Sequence, residues 1–402
     1  MLKKFREFAR DRRGALAVAF AVAMYPIMMM ICAAVDLSRM SQQQARLQAA
    51  LDAAALFVAR LVADGKTPAD LSAAARQIVE GNVNPTEMFN VTVSAVMDGA
   101  SVRVTGSGQL NPMIANILSG SNLQVAGTAG AMWRTKKIDL VLVLDNTGSM
   151  ASSGKMAALK DAAKNLINTM AAVSNRPDAI RIGIVPFDVQ VRIGTTYKNE
   201  SWLTYAGVSG LNSGNWTGCV ADRDQSNDVT DTTPSTGVAS TLFPARNCTN
   251  SALTSILPLT TDWAALRSKV DAMSPAGNTN VTIGLVWGFH MLTPSQPLTT
   301  ARTLAQEPDL ERIIILLTDG DNTQNRWTTN GTLIDARTDL ACANVKANGI
   351  RLYTIRVIDG DAALLRRCAT QTSMYYDVRT ASELGPVFAR IAAEIGQLRL
   401  TQ

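Results

Sequence analysis

The chain predicts an α/β fold with a doubly wound, mostly parallel sheet, preceded by a transmembrane helix and a small α+β domain. Three observations carry this prediction. Residues 15–35 form an uncharged run long enough to span a bilayer. Residues 90–97 and 100–106 have strand composition and meet at Asp98-Gly99, a strong hairpin signal. Beyond residue 135, apolar runs such as IDLVLVLD and RIIILLTD alternate with segments of helical periodicity. Such alternation builds a sheet with helices packed on its faces.

The elements follow in order. A hydrophobic content of 47% with 18% charged residues fits a globular protein with a membrane segment and excludes a disordered chain. In the basic segment 1–14, Lys3, Lys4, Arg6, Arg10, Arg12 and Arg13 stand against Glu7 and Asp11, so most of the net charge of +5 lies there. A local charge of this kind is a cytoplasmic flank and no argument for nucleic-acid binding. Lys and Arg before the span 15–35 place the N-terminus inside and the remainder outside. Pro26 should kink the helix mildly, which membrane helices tolerate. A cleaved signal peptide is the competing reading. The apolar run exceeds the usual signal core, and Cys32-Ala33-Ala34 makes a poor cleavage site. The expectation is an uncleaved single-pass anchor.

Residues 36–135 come next. Leu37, Met40, Gln44, Leu47, Leu51, Ala54, Val58 and Leu61 recur in steps of three and four, and Gln44 alone interrupts the apolar stripe. This helix is expected to pack on its own domain, with a short coiled coil as the alternative. Pro68 opens a second helix through about Glu80, and 123–133 adds a third strand.

Residues 136–402 supply the large sheet. Strands are expected at 138–144, 180–187, 189–193, 312–317 and 350–357. Helical stripes run from Met156 to Met170 and from Trp263 to Met273; 281–292 follows, and Leu384, Val387, Phe388, Ile391, Ile395 and Leu398 mark a terminal helix. Residues 195–261 break this rhythm as an insertion rich in Ser, Thr, Asn, Asp and Gly. So long a connection is uncommon in a compact domain. Its Trp202 and Trp216 are expected to form a small core of the insertion's own, with recognition anchors as the alternative.

Five residues form a candidate metal site: Asp145, Thr147 and Ser149 in DNTGSM, Thr279 in GNTNVT, and Asp319 in LLTDGD. Two of these runs end strands, so both carboxylates reach the C-terminal edge of the sheet, where open α/β sheets bind ligands. Oxygen donors without nearby His or thiol suit a hard cation, Mg²⁺ first, with Mn²⁺ or Ca²⁺ as substitutes. The bland alternative is that the carboxylates cap helices and the hydroxyls satisfy loop backbone. Asn146, Asn322 and Trp327 are candidates for a ligand-binding rim.

The pattern D-x-S-x-S, then a Thr, then an Asp after a later strand, resembles the metal-ion-dependent adhesion site (MIDAS) of von Willebrand factor A (VWA) domains, whose fold is Rossmann-like. Thr147 stands where that pattern has its first Ser, which keeps a hydroxyl. The resemblance implies hydroxyls bound directly to the ion, aspartates bound directly or through water, and an open position for an acidic group of a partner.

A second resemblance lies in Arg12-Arg13-Gly14-Ala15-Leu16-Ala17-Val18-Ala19-Phe20. It is similar to the N-terminal segment of TadE/TadG-like proteins of the tight-adherence, or Flp, pilus-assembly system. TadG-type members join this anchor to a VWA domain, and the helix plus small sheet follows a pilin-like plan. Prepilin-like relatives carry a Glu where this chain has Ala19. Its absence argues against processing after Gly14 and for a permanently anchored assembly factor.

Cys32 falls in the span; Cys219, Cys248, Cys342 and Cys368 lie beyond it. An even number on the exported side fits disulfides in an oxidising compartment. Three pairings exist, and local closure favours Cys219–Cys248 and Cys342–Cys368. A thiol metal site is the alternative, without a C-x-x-C to support it. The one histidine, His290, sits in an apolar run and reads as packed. With no H-E-x-x-H, G-x-S-x-G, Walker A or dinucleotide motif, no enzyme is expected.

The function expected is a metal-dependent protein-binding factor in Flp pilus assembly and adhesion, in the bacterial inner membrane with its C-terminal domains in the periplasm. Its partner would be a pilus or envelope protein offering an acidic residue, with neither nucleic acid nor small-molecule substrate. A surface or matrix adhesin, a metal-dependent hydrolase and a purely structural domain are the competing functions.

Overall fold

The computed structural model describes residues 12–63, 68–98, 101–112, 122–132, 136–174 and 178–398. Most of the basic flank, Gly99 of the expected hairpin and Trp133 lie outside the described residues. The chain forms two compact units, Met1–Arg134 and Thr135–Gln402.

In the first unit, α1 (Arg12–Ala63) runs unbroken through Pro26. Its outer part is apolar on all sides and exposed, as at Phe20, Val22 and Tyr25, and the helix is long and apolar enough to cross a membrane. From Leu47 onward the helix becomes one-sided. Leu47, Leu51, Ala54 and Val58 are buried against α2 (Pro68–Asn82) and the antiparallel sheet β1 (Phe89–Asp98), β2 (Ser101–Leu110) and β3 (Leu123–Met132). Asp98 pairs with Ser101 at the end of the β1–β2 ladder. Glycines line the close approach of helix to sheet: a Cβ on Gly106 would stand 2.8 Å from Leu51 Cδ2, and one on Gly127 2.9 Å from Leu51 Cδ1, so either would push the Leu51 side chain aside.

The expected stripe needs one correction. Gln43, not Gln44, continues the buried face, and Leu37 is 68% exposed. Stepping back one turn from Leu47 lands on Gln43. Its amide donates to Glu87 Oε2 at 2.6 Å, so a polar group is accommodated there.

The second unit is the doubly wound sheet. Its elements in chain order are β4 (Ile138–Asp145), α3 (Lys155–Val173), β5 (Ile180–Phe187), β6 (Val191–Arg192), β7 (Leu203–Thr204), β8 (Cys219–Val220), β9 (Phe243–Arg246), β10 (Leu257–Thr260), α4 (Trp263–Asp271), α5 (Val281–Met291), β11 (Glu311–Thr318), α6 (Gly331–Ala347), β12 (Arg351–Val357), α7 (Ala362–Cys368), β13 (Tyr375–Val378) and α8 (Leu384–Leu398). The strand order is β13-β12-β11-β4-β5-β6-β8-β9-β7, with β10 on β5. The run from β13 to β5 is parallel. Residues of β4 alternate between two cores, as the strand period demands. Leu140, Leu142 and Leu144 face α3, α4 and α8, while Val141 and Val143 face α5, α6 and α7.

The sequence left α6 unmarked. Its buried face is Ile334, Thr338, Ala341, Cys342 and Val345, and small or polar residues at helical spacing give a faint apolar signal. The pairs Cys219–Cys248 and Cys342–Cys368 are both bonded, and Cys32 is free.

The insertion differs from expectation in one respect. Trp202 and Trp216 are buried, which removes them as recognition anchors, but the core they enter is shared. Trp202 meets Phe243 at 5.6 Å, and Phe243 meets Trp287 of α5 at 5.0 Å. Strands β6, β8 and β9 extend the main sheet itself. A shared core unfolds as one unit. Trp202→Ala is therefore expected to lower unfolding free energy by about 3–5 kcal/mol, with the second unit still unfolding in one denaturant transition when followed by tryptophan fluorescence and circular dichroism together.

Candidate metal centre

The centre begins with register. Strands β4 and β11 are parallel neighbours, paired from Ile138↔Glu311 to Leu144↔Leu317. Their ends therefore coincide, and Asp145 and Asp319 emerge side by side, both fully buried. Strand order reverses across this point, with β5 on one side of β4 and β11, β12 and β13 on the other.

Hydrogen bonds lock the donors. Asp145 Oδ1 accepts from the Thr147 amide at 2.8 Å and Oδ2 from Thr318 Oγ1 at 2.6 Å. A short 3-10 turn over Gly148–Ala151 brings Ser149 Oγ to 3.0 Å from Thr147 Oγ1 and 2.5 Å from Asp319 Oδ1. The Gly148 amide donates to Gly277 O at 3.0 Å, which ties this turn to the loop bearing Thr279. Gly277 has φ +90, a conformation that glycine adopts without strain. A Cβ on Gly320 would lie 3.5 Å from both Ser149 Oγ and Thr279 Oγ1, so both hydroxyls border the same space. The structure thus brings together Asp145, Thr147, Ser149, Thr279 and Asp319.

The donor set fits a hard divalent cation. It is all oxygen, and among the described residues no three His, Cys, Asp or Glu side chains group into a rival metal cluster. Electrostatics point the same way. Burial first, and then the charge of Asp319, push the Asp145 carboxyl up to about 6 against the hydrogen bonds of Thr147 and Thr318. A cation between the carboxylates would relieve that repulsion.

The rim expectations need correction at two positions. Asn146 is fully buried, and its amide donates to Ser274 O at 2.7 Å. Asn322 is 4% exposed; its Oδ1 accepts from the Val281 amide at the start of α5, and its Nδ2 reaches Asp335 and Thr338. Asn322 is committed to buried backbone and side-chain partners, and Asn146 is sealed from solvent with its amide on Ser274, so neither lies on an exposed rim. Trp327 is 41% exposed beneath the guanidinium of Arg326 and lies at the surface as expected. His290 is fully buried against Phe243 and Trp287. Burial and Arg223 push its pKa well down, which leaves a packed neutral ring.

Sequence reading missed Thr318, Asp188, Asp222 and Lys155. Thr318 carried a signal, standing directly before Asp319. Asp188 directly follows the neighbouring strand β5, accepts from the Gln190 amide at 2.7 Å and is pushed up to about 6 by burial. Asp222 lies in the insertion, where no local pattern marks it. Its carboxylate accepts from Asn280 Nδ2 at 3.1 and 3.0 Å and from the Arg326 amide at 3.2 Å. Burial raises it to about 6. Asp222 thereby joins the insertion to the residue after Thr279 and to the loop after Asp319.

Comparison with known proteins adds the following. Residues 14–61 match the family "Putative Flp pilus-assembly TadE/G-like". The resemblance seen in the anchor is borne out over that segment. No curated protein matches the chain. Among solved structures, the pilus adhesin SpaC from Lactobacillus rhamnosus GG aligns at 13% identity and TM-score 0.42, over 76% of this chain and 34% of SpaC. The vWF domain of the type V pili tip protein Mfa5 from Porphyromonas gingivalis aligns at 13% identity and TM-score 0.41, over 67% of this chain and 97% of that domain. Proximal thread matrix protein 1 from the mussel byssus, with a zinc-occupied MIDAS motif, aligns at 14% identity and TM-score 0.37, over 64% of this chain and 48% of its own. The chain spans about a third of SpaC. The fold itself rests on the strand order and register above.

The buried carboxylates give a pH dependence of known sign. Asp145, Asp188 and Asp222 sit near 6 in the fold, above the 3.8 of an ordinary aspartate in water. The unfolded chain ionises them first as pH rises, so their burial penalty grows between those values and is complete above about 6. In EDTA, the part of Tm set by these groups is expected to stay level from about pH 7.5 to about 6.5 and to rise as pH falls from about 6.5 to about 4.5. If the centre takes a cation, saturating Mg²⁺ should flatten or reverse the trend, because protons would compete with the ion for the Asp145 carboxylate. Differential scanning fluorimetry across pH, with and without Mg²⁺, checks both halves.

Proposed function

We propose that this protein is a membrane-anchored, metal-dependent protein-binding factor in Flp (Tad) pilus assembly and adhesion. The observation that carries the reading is the joining of the DNTGS loop to the loop after β11, with Ser149 Oγ at 2.5 Å from Asp319 Oδ1 and Thr279 bordering the same space. The TadE/G-like match of residues 14–61 supports pilus assembly as the system served. Asp145, Thr147, Ser149, Thr279 and Asp319 would hold Mg²⁺, or Mn²⁺ or Ca²⁺ in its place. The ion would supply a Lewis-acid position for a carboxylate of a pilus or envelope protein. These ligands would be those of a VWA-type domain over 136–402, carried on the span 15–35 and the small domain 36–135.

The orientation follows from the basic flank, which favours a cytoplasmic N-terminus and periplasmic C-terminal domains in the inner membrane. The two disulfides suit that compartment. The reading is non-enzymatic: His290 is buried away from the surface, and Ser149 is better used as a ligand than as a nucleophile. A surface adhesin is the second reading, favoured by Trp327, an exposed aromatic beside Arg326. Access of antibody on intact cells separates it from a periplasmic factor.

Asp145→Ala or Asp319→Ala is expected to weaken cation binding by about 100-fold or more. Partners cross-linked to the full-length protein in native membranes should vanish in either variant, as they should in EDTA, and pili should be lost while the protein stays in the membrane. Normal pili at native expression of either variant would sink the proposal.

A further inference from the structure

Lys155 opens α3 directly after the left-handed Gly154. Its side chain is 3% exposed, and its Nζ lies 2.6 Å from Oδ2 of the fully buried Asp319. The other oxygen of that carboxylate, Oδ1, takes the Ser149 hydroxyl. Asp319 is therefore divided, with one oxygen turned to the hydroxyl loop and the other held by an ammonium. Asp359 Oδ2 also stands 3.5 Å from Nζ, but Asp359 is 70% exposed, so water and salt screen it. Lysine is among the residues least often buried, and a buried ion pair is weak as a source of stability. A buried ammonium on a proposed metal ligand therefore calls for a role beyond packing.

We infer that Lys155 is a positioning residue that fixes Asp319 and sets the charge of the centre, so that a bound divalent cation keeps a positive excess for an acidic partner group. The inference rests on the metal reading above. Asp145 and Asp319 supply two negative charges, which a divalent cation alone would cancel. A neutral centre exerts little net pull on a carboxylate. Lys155 offsets one of the two negative charges and restores a single positive excess once the cation is bound. It does so at the expense of cation affinity, because like charges this close repel strongly away from water. The acidic ligand and the cation thus respond to Lys155 in opposite directions, which packing alone would not produce.

The test uses full-length protein in detergent micelles, wild type beside Lys155→Gln and Lys155→Arg. Mn²⁺ binding is measured by calorimetry. Acetate, as the carboxylate probe, is then followed through the relaxation of water protons at bound Mn²⁺. Lys155→Gln should bind Mn²⁺ about tenfold tighter or more and acetate about threefold weaker or more. Lys155→Arg keeps the charge and should stay within about threefold of wild type in both. Thermal melts accompany the titrations: Lys155→Gln should melt below wild type in EDTA yet gain more from Mn²⁺. If Lys155→Gln folds poorly, Lys155→Met carries the same comparison. Mn²⁺ affinity unchanged or weakened in the neutral variant, or acetate affinity undiminished, overturns the inference while leaving the metal reading intact. Wild-type protein that binds no Mn²⁺ overturns the metal reading, and this inference with it.

Discussion

Two buried carboxylates at neighbouring strand ends are the constraint around which the second unit is arranged. Asp145 and Asp319 are brought together by the parallel register of β4 and β11 and are shielded from water. Like charges so placed repel, and the surrounding groups answer that repulsion one by one. Thr147 and Thr318 donate to Asp145, Ser149 and Lys155 hold Asp319, and the Asp145 carboxyl still sits near 6. The proposed cation would complete what these groups leave unfinished. A site of this kind stores electrostatic tension in the fold and releases it on binding.

The insertion is drawn into the same arrangement. Its strands continue the sheet past β5, its Phe243 packs at a tilt against Trp287, and its Asp222 grips Asn280 and the Arg326 backbone. An element in the second core cannot shift freely against the loops it touches. The insertion therefore belongs to the scaffold of the centre, tied to the loop after β11 through Asp222 and Asp224 on Arg326.

The first unit shows one helix with two kinds of surface. Around Phe20 and Tyr25 it is apolar and exposed on all sides, and from Leu47 it narrows to a single buried face. The change needs no break in the backbone, because helical hydrogen bonds are internal in both settings. Glycines at Gly106 and Gly127 let the sheet approach that face closely enough to be covered by Leu51.

The sequence by itself determined the elements whose signal is local. Apolar runs ending in aspartate marked β4 and β11, helical stripes marked α3 and α8, and the hydroxyl-rich DNTGS loop marked the centre. The long apolar helix and both disulfides were legible for the same reason, since composition and short-range closure are written along the chain. Tertiary structure decided what depends on residues remote in sequence. Asn146 and Asn322 looked like surface ligands until the fold gave them buried partners, and α6 hid its stripe in Thr338, Ala341 and Cys342. Lys155 and Asp222 carry no pattern at all: a charged side chain reads as solvated until packing closes over it, and only the crossing of distant strands sets Lys155 on Asp319 or Asp222 on Asn280.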